Sequence, residues 1–252
     1  MTLPRFNKTI LACVLLLSGL GLLSLWTAAP PTTLAGESIT RSIFMKQLTF
    51  MGVGLAVMAL VAIPHYQLYR RLAPLLYVVG LLALAALLFK AKYTRGARGW
   101  FAVGPVNVQP AEFMKIAFIL VLARVLMYGR LLQEWRGLLL PLIVTAVPAA
   151  LIVVQPDLGT TLLFVPTLLA MLFAAGARKR HLAVIVGVLL AAAPLVYFYG
   201  MKPYQQNRLI AFAFRDRVPA DMIYQVTASE KACASGSLIG RGLGESGSAL
   251  PF

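Results

Sequence analysis

Charge is what this sequence has least of. Only 12% of its 252 residues are charged, and acids are the scarcest, with 8 Asp and Glu against 23 Lys and Arg. A soluble domain carries roughly a quarter charged residues, so a water-soluble fold is excluded. An apolar content of 60% and a mean hydropathy of +0.83 instead describe an integral membrane protein. Cysteine is nearly absent as well. Cys13 lies inside the first apolar run and Cys233 in the far C-terminal stretch, which argues against a structural disulfide between them. All eight acids fall in loops or at the ends of apolar segments. Proton- or ion-coupled transporters keep such groups deep in the bilayer, so the placement counts against that class.

What remains is a net charge of +15. No basic stripe is interleaved with a soluble fold, so nucleic acid is not the expected partner. Anionic membrane lipids, or an anionic lipid-linked substrate, fit the charge better.

Seven apolar runs are long enough, or nearly so, to cross ~30 Å of hydrocarbon. They are Ile10–Ala29, Ile43–Ile63, Leu72–Phe89, Phe113–Tyr128, Leu138–Val154, Leu158–Ala175 and Leu182–Tyr199, the fourth and fifth being short. The expected fold class is therefore all-α, a polytopic transmembrane helix bundle over residues 1–199. Residues 200–252 are expected to begin a large extracytoplasmic loop. A secretory signal is the alternative for the first run, with Arg5 and Lys8 before it and Leu34-Ala35-Gly36 after it. The run is too long for a signal core.

Short-loop cations set the orientation. With the N-terminus in the cytoplasm, the inner loops hold Arg5, Lys8, Arg70, Arg71, Arg130, Arg136, Arg178, Lys179 and Arg180. The outer ones hold Arg41, Lys46, Lys90, Lys92, Arg95 and Arg98, so nine stand against six. The margin is thin because Lys90 to Arg98 is rich in cations. Those residues either snorkel onto phospholipid headgroups or clamp a phosphate.

The stretch Arg95 to Lys115 is the densest polar passage. Gln109-Pro110-Ala111-Glu112 predicts a helix start with proline at the first helical position, and Gln155-Pro156-Asp157 repeats the device. Two helix starts on the outer face, beside Arg95, Arg98 and Lys115, would form an anion-receiving rim. The plainer reading is that Glu112 and Asp157 cap their own helices. Glu112 and Lys115, three apart, share a helical face and can pair, and a lysine entering the membrane is a functional candidate. Arg124 is expected to snorkel toward the cytoplasmic side. Trp100 belongs either to an interfacial aromatic belt or to a platform for a sugar or lipid headgroup.

Three motifs stand in register: Gly96-Ala97-Arg98-Gly99-Trp100, Gln109-Pro110-Ala111-Glu112-Phe113-x-Lys115 and Gln155-Pro156-Asp157-Leu158-Gly159-Thr160. In order and spacing they resemble those of the shape, elongation, division and sporulation (SEDS) proteins, the family of RodA and FtsW. Ile63-Pro64, and Lys202-Pro203-Tyr204-Gln205 with Arg208, look more like the RodA branch. The resemblance covers essentially the whole chain.

It implies a multi-pass glycosyltransferase of the bacterial cytoplasmic membrane that polymerises lipid II on the outer face. A class B penicillin-binding protein transpeptidase is the implied partner. The substrate-binding residues it points to are Arg95, Arg98, Trp100, Glu112, Lys115, Asp157 and Arg208. A divalent cation, Mg or Mn, would assist the diphosphate; no other cofactor is expected.

The family's favoured general base is an aspartate in a Leu-Pro-Glu-x-x-His-Thr-Asp segment that would begin near Leu250-Pro251-Phe252, so no catalytic residue is assigned and a truncated family member is expected. Asp216 and Asp221 are poor substitutes, Asp216 because Arg215 and Arg217 would hold it ionised. Two other classes stay open: a flippase for a lipid-linked precursor, and a non-catalytic bundle that activates a transpeptidase, for which Gly52-x-Gly54 offers a packing face.

Overall fold

The computed structural model describes residues 7–27, 34–90, 99–103, 106–127, 132–214 and 220–236. Among them are nine α-helices: α1 Lys8–Thr27, α2 Leu34–Ala62, α3 Tyr66–Lys90, α4 Pro110–Met127, α5 Trp135–Val154, α6 Leu158–Ala174, α7 Lys179–Leu195, α8 Pro203–Ala213 and α9 Ala220–Gly236. Each of the seven apolar runs is a helix. The all-α transmembrane class is thus observed, and five of the helices are long and apolar enough to cross a membrane. The two short runs lengthen at their polar ends, to 18 residues in α4 and 20 in α5.

Three features depart from the expectation. A two-stranded antiparallel ribbon, β1 Phe101–Val103 with β2 Val106–Val108, precedes α4, pairing Phe101 with Val108. A five-residue π turn, Val196–Gly200, follows α7. The stretch after residue 200, expected to begin a large extracytoplasmic loop, carries the helices α8 and α9, which no apolar run announces. Local chemistry explains α8: Pro203 opens it, and the Lys202 N–H donates to Gln205 Oε1 at 2.9 Å. A polar helix leaves no apolar run to announce it.

The chain forms two compact units, His65–Leu195 and Met1–Pro64 with Val196–Phe252. In the second, α1 packs against α2, with Trp26 edge-on to Phe44 at 5.3 Å. Asn7 starts α1 by accepting the Thr9 N–H at 3.0 Å.

The first unit carries the core. α4 is its centre, packed against α3, α5 and α6. It buries Ala111, Met114, Phe118, Val121 and Leu122, a stripe at three- and four-residue spacing. Phe113, Ile116 and Ile119 are exposed on α4, as suits a helix whose solvent is lipid. Phe118 meets Phe164 of α6 at 4.8 Å. Gly80 lets α3 approach closely, since a Cβ there would stand 2.6 Å from Met114 Sδ.

Prolines sit inside α3, α5, α6 and α7. Each removes the N–H that would serve the carbonyl four residues earlier. Pro148 orphans Val144, and the Tyr77 hydroxyl of α3 donates to that oxygen at 2.8 Å. Pro74 orphans Arg70, and Arg124 Nη1 of α4 donates to it at 2.7 Å. Arg124, expected merely to snorkel, closes a gap in a neighbouring helix. Buried Gln155 makes a further interhelical bond, its Nε2 donating to the Leu84 carbonyl of α3 at 2.9 Å, where no proline has removed a donor.

This pairing has a testable consequence. Tyr77→Phe should lower the detergent melting temperature, the loss being ~0.6–1.7 kcal/mol for an interhelical bond in a membrane protein. Pro148→Ala restores an N–H to Val144, so Tyr77→Phe made in that background should cost clearly less. An equal cost in both backgrounds would remove the orphaned carbonyl as the explanation.

Candidate functional site

The ribbon returns the chain so that Gly99 lies beside Gln109, whose Nε2 is 3.8 Å from where a Gly99 Cβ would stand. Pro110 is the first residue of α4, as its motif predicts. Pro156 is not the first residue of α6: that helix begins at Leu158 with Asp157 as its N-cap, so the proline lies one position outside. The two Gln-Pro motifs look alike but are built differently.

Asp157 is the knot between them. Its Oδ1 accepts the Thr160 N–H at 3.0 Å, and its Oδ2 accepts the Thr160 hydroxyl at 2.7 Å and Gln109 Nε2 at 2.9 Å. Thr161 Oγ1 donates to the Asp157 carbonyl at 2.9 Å. One half-buried carboxylate thereby caps α6 and ties it to the residue preceding α4. Gln155, two residues earlier, anchors the same turn to α3. The plainer reading of Asp157 is the observed one: it caps its own helix.

Glu112 does something different. Its Oε1 pairs with Lys115 Nζ at 2.8 Å, with Lys115 26% exposed and Glu112 56%. Both helix starts have much of their donor capacity engaged. Thr160's N–H is taken by Asp157, Pro110 has none, and the Glu112 N–H bonds the Gln109 carbonyl at 3.1 Å. Attraction of an anion here rests more on side-chain cations than on helix ends.

Lys115 is the described cation of that kind, one turn inside α4. Trp100, 44% exposed, stands at the entry to the ribbon. Arg95 and Arg98 lie outside the described residues, as do Asp216 and Leu250–Phe252. Arg208 belongs to α8, and of it only the backbone is described. The site therefore joins Trp100, Glu112, Lys115 and Asp157 on one end of the first unit. Sequence reasoning passed over Gln109, Gln155 and Thr160 as site residues. The repeated Gln-Pro was the signal, since a glutamine placed before each of two helix starts supplies an amide that can reach a second helix.

The knot separates charge from capping in a measurable way. Asp157→Ala should cost about 1–2 kcal/mol through loss of the cap, with a further loss from the stranded Gln109 amide. Asp157→Asn, itself a good cap, should retain most of the stability. Thermal melts of the two variants in one detergent check the order, and equal melts would refute the cap.

The model of the cell cycle protein family FtsW/RodA/SpoVE matches residues 7–252. The chain is 31% identical to the probable peptidoglycan glycosyltransferase FtsW of Aliivibrio salmonicida over 239 residues, 94% of this chain and 58% of that one. It is 29% identical to the peptidoglycan glycosyltransferase MrdB of Escherichia coli K12, over 94% of this chain and 62% of that one. It thus spans about three fifths of the length of these curated relatives.

Among solved structures it superposes on one chain of a peptidoglycan synthase complex that couples polymerization and crosslinking. The TM-score is 0.76, with 29% identity over 90% of this chain and 65% of that one. The rod shape determining protein RodA of Thermus thermophilus follows with a TM-score of 0.64 and 26% identity, covering 91% of this chain and 75% of that one. FtsW and RodA match to similar degrees, so the likeness does not choose the RodA branch that the motifs favoured. By a family match over nearly its whole length, the chain belongs to the FtsW/RodA/SpoVE family of cell cycle proteins.

Proposed function

We propose that this chain is the substrate-gripping part of a peptidoglycan glycosyltransferase of the bacterial cytoplasmic membrane, and that its substrate is the lipid-linked disaccharide lipid II. The observation that carries the reading is Lys115, held by Glu112 at the membrane entry of α4, beside the Gln109–Asp157–Thr160 knot. A rigid pair of helix starts next to a cation suits a ligand with a diphosphate on an apolar tail. Family membership and the relatives' activities support the same substrate class.

Glycosyl transfer needs negative charge stabilised on the departing diphosphate and a base for the attacking sugar hydroxyl. Lys115 serves the first need, joined in this reading by Arg95, Arg98 and Arg208. Neither described carboxylate at the site serves the second: Asp157 already accepts three hydrogen bonds and Glu112 is paired with a lysine. In this reading the base is another group, which the family resemblance gives as an aspartate.

Among the described residues no three His, Cys, Asp or Glu gather to hold an ion. A divalent cation, in this reading, arrives on the diphosphate. Trp100 offers a face for the sugar or lipid headgroup. A class B penicillin-binding protein transpeptidase is the proposed partner, supported by the likeness to a chain of a peptidoglycan synthase complex.

The test gives the reconstituted protein, with its transpeptidase partner, fluorescent lipid II and Mg or Mn, and looks for glycan ladders on a gel. Lys115→Ala should weaken lipid II binding about 10-fold or more, the worth of a charge-assisted hydrogen bond, with the melting temperature little changed. Glu112→Gln should do far less, because an exposed ion pair contributes little. A fall in melting temperature with unchanged binding would make Lys115 structural. Headgroup translocation in liposomes without any ladder would replace the transferase with a flippase.

A further inference from the structure

The end of the first unit opposite the candidate site carries a second cationic feature that glycosyl transfer does not use. Here α5 and α7 begin side by side. Trp135, the first residue of α5, packs at a tilt against His181 in the first turn of α7, with ring centroids 4.2 Å apart. Gln133 stitches the approach: its Nε2 donates to the Gly176 carbonyl at 3.0 Å, and its Oε1 accepts from Arg178 Nε at 2.9 Å. Gly176 makes this turn with φ +85°, a conformation that favours glycine.

Around the two helix starts stand Arg136, Arg178, Lys179 and Arg180, all exposed, against a single described carboxylate, Glu134. Glu134 occupies the N-cap of α5 but its side chain makes no capping hydrogen bond; its carbonyl takes the Gly137 N–H at 3.2 Å, which leaves the N–H groups of Trp135 and Arg136 for an outside acceptor. Between the two starts lies His181, only 4% exposed, and its Nδ1 has no hydrogen-bond partner. Buried polar atoms are rarely left so. Trp135 is half exposed directly above it, the position of an aromatic ring at headgroup depth.

We infer that this corner is a binding site for the headgroup of an anionic phospholipid. Its phosphodiester would lie across the first turns of α5 and α7, on Arg178, Lys179 and Arg180, with Trp135 beside it. Charge complementarity selects this occupant: four cations face one acid on an element that enters a membrane, and lipid supplies both the anion and the acyl chains that the flanking apolar helices require. A basic pocket between transmembrane helices is suited to such headgroups. An acidic segment of another protein would satisfy the charge but not the half-exposed tryptophan.

The test uses Trp135 as reporter. In the full chain, Trp26→Phe and Trp100→Phe leave Trp135 as the only remaining tryptophan of the three. The protein is placed in phosphatidylcholine bilayers doped with brominated phosphatidylglycerol or, separately, with brominated phosphatidylcholine. The anionic lipid should quench with a relative association at least about fivefold higher, the effect of one cation's attraction near a membrane surface. Arg178→Gln, Lys179→Gln and Arg180→Gln together should bring the ratio well below its original value, toward the residual preference that Arg136 alone supports. Arg70→Gln with Arg71→Gln, which removes two cations from the start of α3, should leave it near its original value.

Equal quenching by the two lipids would overturn the site, leaving the corner to a protein partner or to solvent. So would an equal loss in the α7 and α3 variants, which would mean diffuse attraction. If the triple variant fails to fold, Lys179→Gln with Arg180→Gln carries the same comparison, because neither side chain takes part in the Gln133 stitch.

Discussion

A backbone carbonyl inside a membrane protein has no water to accept from, and much of this architecture follows from that constraint. Helices solve it for most residues. Prolines reopen it, each removing the donor for one carbonyl a turn earlier. At Pro74 and Pro148 the missing donor comes from a neighbouring helix, as Arg124 and Tyr77 reach across to Arg70 and Val144. The same residues thus close a polar gap and fix the spacing of α3 against α4 and α5. Lipid gives apolar faces no reason to prefer one another over acyl chains, so polar bonds of this kind carry specificity that burial alone would not. Close approach at Gly80 and Met114 supplies the packing that goes with them.

At one end of this frame the same logic yields the candidate site. Asp157 satisfies the start of α6 and, through Gln109, holds the start of α4 in place. A carboxylate so fully engaged acts as a positioning group for the two helix starts. It holds the starts of α4 and α6 together, and so fixes the helix that carries Lys115. At the other end, the first turns of α5 and α7 gather cations with little acid beside them. The unit is therefore polar at both ends and apolar between, with different chemistry at each.

Much of the fold was legible from residue order. Seven apolar runs became seven helices, because crossing ~30 Å of hydrocarbon requires a length and composition that stand out in any sequence. Pro110 at the start of α4 and the Glu112–Lys115 pair were legible too, since both are matters of local helical spacing. The polar helices α8 and α9 and the ribbon at Phe101–Val108 were not, for want of any long apolar signal. Pro156 misled: a Gln-Pro dipeptide reads the same whether proline opens the helix, as at Pro110, or stands outside the cap.

The sequence by itself determined the solvent, the seven apolar helices and the membership of a family, because composition, run length and motif order are properties of the chain alone. Only the tertiary structure decided which partners the polar residues took. Nothing in residue order says that Gln109 bonds Asp157, 48 positions away, or that Arg124 serves the carbonyl of Arg70. Such bonds form where two helices have already been brought alongside, and that is set by packing around α4. Asp157 became a capping and bridging group, and Lys115 the described cation at the site, only once that packing was in place.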